Sequence, residues 1–207
     1  YYTGGWPILF RNGGDACTFD GVFHGFHGEA SLARWGAEQT AGRLRLRHRF
    51  ATVPVEMERD LAVAGETLTI RERITMQGER PVSVMWGHHP TFGSDLLDGP
   101  FEIGTDARRV AVDDRFDPPL NPLQPGAAGA WPNVPGKTGS YDLSRPRAPM
   151  AAMAYLTDFE RPSAWIRRLD NTIAAVLSCD VAVCPNACLW CELGGTHDAP
   201  WNGKAHL

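Results

Sequence analysis

A chain of 207 residues, 43% hydrophobic and 21% charged, holds enough apolar material for a sizeable core. A net charge of -4 leaves no basic footprint for nucleic acid, and no apolar run approaches the roughly 20 residues of a membrane-spanning helix, so the expected partner is an uncharged ligand in solution. The 22 Gly and 16 Pro are spread among short alternating runs, which predicts a turn-rich, all-β single domain over residues 1–207.

In chain order, Trp6-Pro7-Ile8-Leu9-Phe10 reads as part of a strand and is followed by the turn cluster Arg11-Asn12-Gly13-Gly14-Asp15. Next comes a histidine loop, Phe23-His24-Gly25-Phe26-His27-Gly28-Glu29-Ala30, with Trp35 soon after. Its glycines allow a ligand to approach the backbone closely. Residues 42–50 alternate strictly, with Arg43, Arg45, Arg47 and Arg49 on one face and Leu44, Leu46 and His48 on the other. Neighbouring Glu and Asp make the arginine row a solvated strand face rather than a phosphate site. Residues 66–77 and 80–86 predict two strands with a turn at Gly78-Glu79, and they lead into Trp86-Gly87-His88-His89-Pro90-Thr91-Phe92-Gly93. Two imidazoles therefore sit at a strand end, with an ordinary pKa of about 6.5 that suits giving and taking protons near neutrality. The alternative for His89 is a hydrogen-bonded residue beneath an aromatic loop.

Residues 95–117 mix short apolar pieces with acids, and the proline- and glycine-rich stretch 118–149 predicts a long irregular excursion rather than a strand pair. Residues 150–156, 163–169 and 172–183 return to strand-like apolar runs. Five cysteines, Cys17, Cys179, Cys184, Cys188 and Cys191, are an odd number, and four of them fall within thirteen residues, a poor layout for a disulfide framework. Reduced thiols in the cytoplasm are expected. The C-x3-C-x2-C spacing of Cys184, Cys188 and Cys191 matches loops that bind an iron-sulfur cluster. Only sixteen residues follow Cys191, however, and the preceding pattern is β, so no metal is expected there. Read as a strand, residues 187–192 put Cys188, Trp190 and Glu192 on one face and leave the thiols as small apolar fillers.

Taken as a set and in order, five pieces resemble the aldose 1-epimerases of the galactose mutarotase-like superfamily. They are Gly4-Gly5-Trp6-Pro7 with Asn12-Gly13-Gly14-Asp15, His27-Gly28-Glu29-Ala30 with Trp35, Trp86 to Gly93, Trp190-Cys191-Glu192-Leu193-Gly194-Gly195, and Pro200-Trp201-Asn202-Gly203. The resemblance implies a large antiparallel β-sandwich whose concave face binds a monosaccharide or sugar derivative, with side-chain catalysis and no cofactor. Anomer interconversion needs an acid for the ring oxygen and a base for the anomeric hydroxyl. By the resemblance the acid is His89, matched by its spacing to Phe92, and His27 is the earlier histidine that holds the sugar, with His24 as a rival. His88, which points the other way on a strand, is expected with Trp35 among the substrate contacts. Arg11 and Asn12 fall where the family often has a substrate-binding arginine, although Gly13-Gly14 departs from its pattern. The family's base is a glutamate after a Pro-Trp-x-Gly turn, and here the chain stops at Leu207. The sandwich is thus expected to be incomplete at both ends, with the base either beyond Leu207 or Glu192; Asp142 is a candidate for the family's additional aspartate. Two other functions stay open: a non-catalytic carbohydrate-binding sandwich, and a His-rich metal enzyme using His27, His88, His89 and Glu192.

Overall fold

A computed structural model describes residues 5–199 and 201–207, so Gly4 and Pro200 of the quoted motifs lie outside the described residues. Strand dominates, and every pairing between strands among the described residues is antiparallel. The chain forms two compact units: Trp6–His89, and Pro90–Leu207 with Gly5.

In the first unit, β1 (Ile8–Arg11) pairs with β8 (Met85–His88), placing Ile8 opposite His88 and Phe10 opposite Trp86. β2 (Cys17–Phe19) and β3 (Val22–His24) form a hairpin, and a single 3-10 turn follows at Glu29–Ser31. A meander of β4 (Gly36–Thr40), β5 (Arg43–Arg49), β6 (Val55–Ala64) and β7 (Thr67–Met76) completes it. The arginine row of β5 is solvated, as its alternation requires. Arg45 and Arg47 stand opposite Asp60 and Glu58 of β6 and form ion pairs of 3.0 and 2.8 Å. The other face of the meander supplies Val55 and Met57 to a core completed by Ile8, Phe10, Phe50 and Val53. Removing such side chains from water is the main favourable term in holding the sheets together.

Part of the expected second strand is absent. β8 begins only at Met85, and it pairs with β1 rather than with β7. Pro81 lacks the N–H that a ladder needs, and the Ser83 carbonyl is taken by Arg11 Nε at 2.9 Å.

The second unit is built on β13 (Met150–Arg168), which unites two of the expected runs in one strand. Along its length β13 pairs with β9 (Phe101–Val112), with a register shift between Phe159 and Ala164. Its other neighbours are β15 (Ala187–Leu193), against residues 150–156, and β14 (Ala174–Ser178), against residues 163–167. β10 (Ala128–Ala130) extends the sheet beyond β9, and β16 (Ala205–His206) beyond β15. A short helix, α1 (Ser94–Leu97), buries Leu96 and Leu97 in the same core.

The excursion 118–149 is not irregular throughout, contrary to expectation. It contains a hairpin of β11 (Asn133–Gly136) and β12 (Gly139–Asp142), and Leu123, Val134 and Leu143 from it are fully buried. Pro135 is tolerated because a two-stranded ribbon has two outer edges where no N–H is required.

Candidate functional site

His27 and His89 are brought face to face within the first unit. Their ring centroids are 5.3 Å apart and their planes inclined by 39°. Each is positioned by backbone. The His89 N–H donates to Pro7 O at 3.0 Å, which carries the β1–β8 ladder one residue further and turns His89 to the side opposite His88. His27 occupies a left-handed conformation, φ 62°, followed by Gly28 at φ 76°. Its N–H donates to Gly14 O at 3.0 Å and its Nδ1 lies 3.1 Å from Gly13 O. A carbonyl can only accept, so Nδ1 carries the proton and Nε2 is the acceptor nitrogen of the neutral ring.

Asn12 underpins this loop. Its amide nitrogen donates to the carbonyls of Gly14, Asp15 and Gly25, and its oxygen accepts the Gly14 N–H. Gly28 cannot carry a side chain here, because a Cβ would stand 2.2 Å from Phe10 O. The rings of Phe26 and His27 are 3.8 Å apart. Burial lowers the pKa of His27 below its ordinary value, although the Gly13 carbonyl and Asp15 act the other way. Burial, and then the charge that His27 can carry, lower that of His89. Two half-buried imidazoles so close do not hold two protons together near neutrality.

His88 belongs to a different constellation. Trp6 Nε1 donates to its Nδ1 at 3.1 Å, and its Nε2 faces Glu72 Oε2 at 3.1 Å. An indole N–H only donates, so the ring proton sits on Nε2. The Glu72 carboxylate also accepts from Arg59 Nε at 2.6 Å and Trp86 Nε1 at 2.8 Å, and both side chains of the Arg59–Glu72 pair are buried. Burial alone would raise the pKa of Glu72, but the hydrogen bond from His88, with the charge of Arg59 and the hydrogen bond from Trp86, holds it below the usual carboxylate value.

Trp35 packs at the edge of this group, with the Arg59 guanidinium 5.9 Å from its ring centre and its Nε1 bonded to Ala30 O. Arg11 is buried and turned to Asp20 at 2.6 Å, with its guanidinium over Phe19. His24, the rival of His27, is buried, and neither ring nitrogen has a hydrogen-bond partner among the described residues. Among the described residues no group of three or more His, Cys, Asp or Glu is placed to hold a metal, and the consecutive His88 and His89 turn to different partners. Glu192 lies in the second unit on β15, fully buried, with its two oxygens accepting from Thr196 N at 2.8 Å and Thr196 Oγ1 at 2.6 Å. Asp142 on β12 accepts from Ser144 N and Oγ.

Glu72, Arg59 and Glu29 were not among the sequence candidates. Each carried a signal. Glu72 interrupts the alternating apolar series Leu68, Ile70, Ile74 of β7, and Arg59 interrupts Val55, Met57, Leu61 of β6. Glu29 accepts from His48, itself on the apolar side of β5, and from the Ala51 and Thr52 N–H groups.

No protein-family model matches the chain, and no curated protein matches it. A solved structure does: the crystal structure of a protein from Escherichia coli K12 described as a putative aldose 1-epimerase superposes with a TM-score of 0.64 at 14% identity, over 98% of this chain and 70% of that one. The fold is that of an aldose 1-epimerase-like β-sandwich. At 14% identity the likeness carries the fold, while function rests on the side chains present. No helix among the described residues is long and apolar enough to cross a membrane.

Proposed function

We propose that the protein is an aldose 1-epimerase-like isomerase that interconverts the α and β anomers of a monosaccharide or sugar derivative, without a cofactor. The observation that carries the reading is the His27–His89 pair, two imidazoles held 5.3 Å apart whose burial lowers both pKa values, on an epimerase-like fold. Such a pair meets the need of ring opening for one group that gives a proton and one that does not.

In this reading His89, in its protonated form, donates to the ring oxygen. His27, with Nδ1–H fixed on Gly13 O, presents Nε2 as an acceptor to a sugar hydroxyl. The C1–O5 bond opens as the anomeric hydroxyl loses its proton, the aldehyde rotates, and closure on the other face returns both protons. Burial lowers the acid's pKa, which makes it a stronger donor when charged and reduces the charged fraction at neutral pH. Glu192 remains the proposed base within the chain, a role that requires it to leave Thr196. Arg11, Asn12, His88 and Trp35 support the site: Asn12 by clamping the His27 loop, His88 and Trp35 through the Glu72–Arg59 group, and Arg11 by pinning residue 83 to β1.

Polarimetry on freshly dissolved aldoses tests the proposal. Acceleration of mutarotation that disappears in His89→Ala supports it. Saturable sugar binding with no acceleration would instead make the protein a carbohydrate-binding sandwich.

A further inference from the structure

The face of the β5–β6–β7 meander turned away from Val55 and Met57 carries a cluster of charge that the proposed chemistry does not use. Register places Arg45, Asp60 and Arg71 in one row across the three strands, and Arg47, Glu58 and Arg73 in the next. The acids of the middle strand are committed to β5: Arg45 Nε holds Asp60 at 3.0 Å and Arg47 Nε holds Glu58 at 2.8 Å. Arg71 and Arg73 are exposed on β7, and neither guanidinium has an ion pair or hydrogen bond among the described residues.

These six side chains line a cavity of about 410 Å³. Glu72 also borders it, but its carboxylate is buried and answered by Arg59. Four arginines against two acids leave an excess of two positive charges in the cavity. The whole face, with Arg43, Arg49, Glu38 and Glu56 added, has the same excess. The chain as a whole carries -4, so this positive field is a local feature. The β5 row alone would not create it, because its middle arginines are neutralised across β6. The excess arises because β7 brings a second arginine to each row.

Residues two apart in a strand share a face at a separation of about 7 Å. Two guanidinium forks at that spacing can close on one tetrahedral oxyanion, each offering parallel N–H donors that a lysine could not. A phosphate monoester carries about -1.5 to -2 near neutrality, which matches the excess, whereas a single carboxylate would leave one arginine unanswered. The cavity lies within the range of about 300–1,000 Å³ typical of small-molecule sites, so it has room for the organic part as well. We propose that Arg71 and Arg73, backed by Arg45 and Arg47, form a binding site for a small phosphate monoester, separate from the His27–His89 pair.

The test titrates the full nitrogen-15-labelled chain with glycerol 3-phosphate and follows the arginine Nε–Hε resonances by NMR. Expected are saturable shifts at Arg71 and Arg73, with smaller ones at Arg45 and Arg47. Binding should weaken as ionic strength rises from about 0.01 M to about 0.15 M. Arg71→Gln and Arg73→Gln should each cost about 10-fold in affinity. Arg115→Gln, which removes the same charge from a fully exposed side chain of the second unit, should cost nothing. Asp60→Asn should tighten binding, since it removes a competing negative charge and releases Arg45. Shifts that do not saturate by about 10 mM, or an equal loss in Arg71→Gln and Arg115→Gln, overturn the proposal. The wild-type titration needs no variant to fold, and it is read without any measurement of mutarotation.

Discussion

The His27 and His89 rings lie 5.3 Å apart, although sixty-two residues separate them in the chain, and main-chain carbonyls position both: Gly13 and Gly14 hold His27, and Pro7 takes the His89 N–H. A charge on the His27 ring lowers the pKa of the His89 ring, and the two titrate as a pair. The first prediction is spectroscopic. Both imidazoles should titrate below the usual 6.5 in a carbon-bound proton NMR titration, and His27→Gln should raise the value of His89 by removing the neighbouring charge. The unfolded chain binds these protons more readily, so their contribution to stability is full above about pH 6.5 and is lost as pH falls through that value. An unchanged His89 in His27→Gln would refute the coupling.

His88 and His89 should separate cleanly when each is replaced by Ala. Loss of His89 is expected to cut mutarotation about 10²–10⁴-fold with little change in stability. Loss of His88 leaves the Glu72–Arg59 pair without one donor and Trp6 without its acceptor, so it should act mainly on the denaturation midpoint. Paired measurement of rate and urea midpoint decides the matter, and a larger rate effect at His88 would reverse the assignment.

Glu72→Ala is expected to be among the most damaging single changes in the first unit. It strands the buried Arg59 guanidinium, a loss of about 3–5 kcal/mol by analogy with other broken buried pairs. In the wild type the depressed Glu72 carboxylate contributes stability that is full above its unfolded value of 4.5 and is lost as pH falls through its lower folded value. Equilibrium unfolding against pH should show that loss, and Glu72→Ala should lack it.

Gly28→Ala tests the histidine loop without touching a histidine. A Cβ would meet the Phe10 carbonyl at 2.2 Å in a backbone conformation with positive φ, so a cost of about 1–3 kcal/mol and a displaced His27 are expected. Wild-type stability together with wild-type mutarotation in this variant would show that the loop geometry is unimportant.

For Glu192→Gln the two possible roles give opposite patterns. A base is lost with the carboxylate, so the rate falls about 10²–10⁴-fold while the amide still meets Thr196. A strut keeps most of the rate and loses stability. Stopped-flow polarimetry with thermal unfolding separates them.

The features most legible in the sequence were those set by strand alternation. Arg43 to Arg49 announced their solvated face, and the consecutive His88 and His89 had to turn opposite ways. The same rule applied to β6 and β7 would have exposed Arg59 and Glu72 as charged residues on apolar stripes. β9 was hidden for a different reason. Its alternation is disturbed where β13 shifts register, and Thr105, Asp106, Arg108 and Arg109 read as loop. The β11–β12 hairpin was masked by prolines that disfavour interior strands and are harmless at an edge. The pairing of His27 with His89 had no local signal, since it depends on Asn12 and two glycine carbonyls from another loop.

The register shift between Phe159 and Ala164 gives the longest strand a soft waist. Residues 154–156 of β13 are laddered on both sides, by β9 and β15, and residues 164–167 by β9 and β14, whereas the stretch between them is paired on one side only, Thr157 and Phe159 to β9 and Ser163 to β14. Asp158 adds a left-handed residue there, φ 58°. Amide exchange along this one strand should therefore show two slow stretches separated by a fast one, and a protease given limited time should nick the sheet at its centre before it nicks the ends of β13.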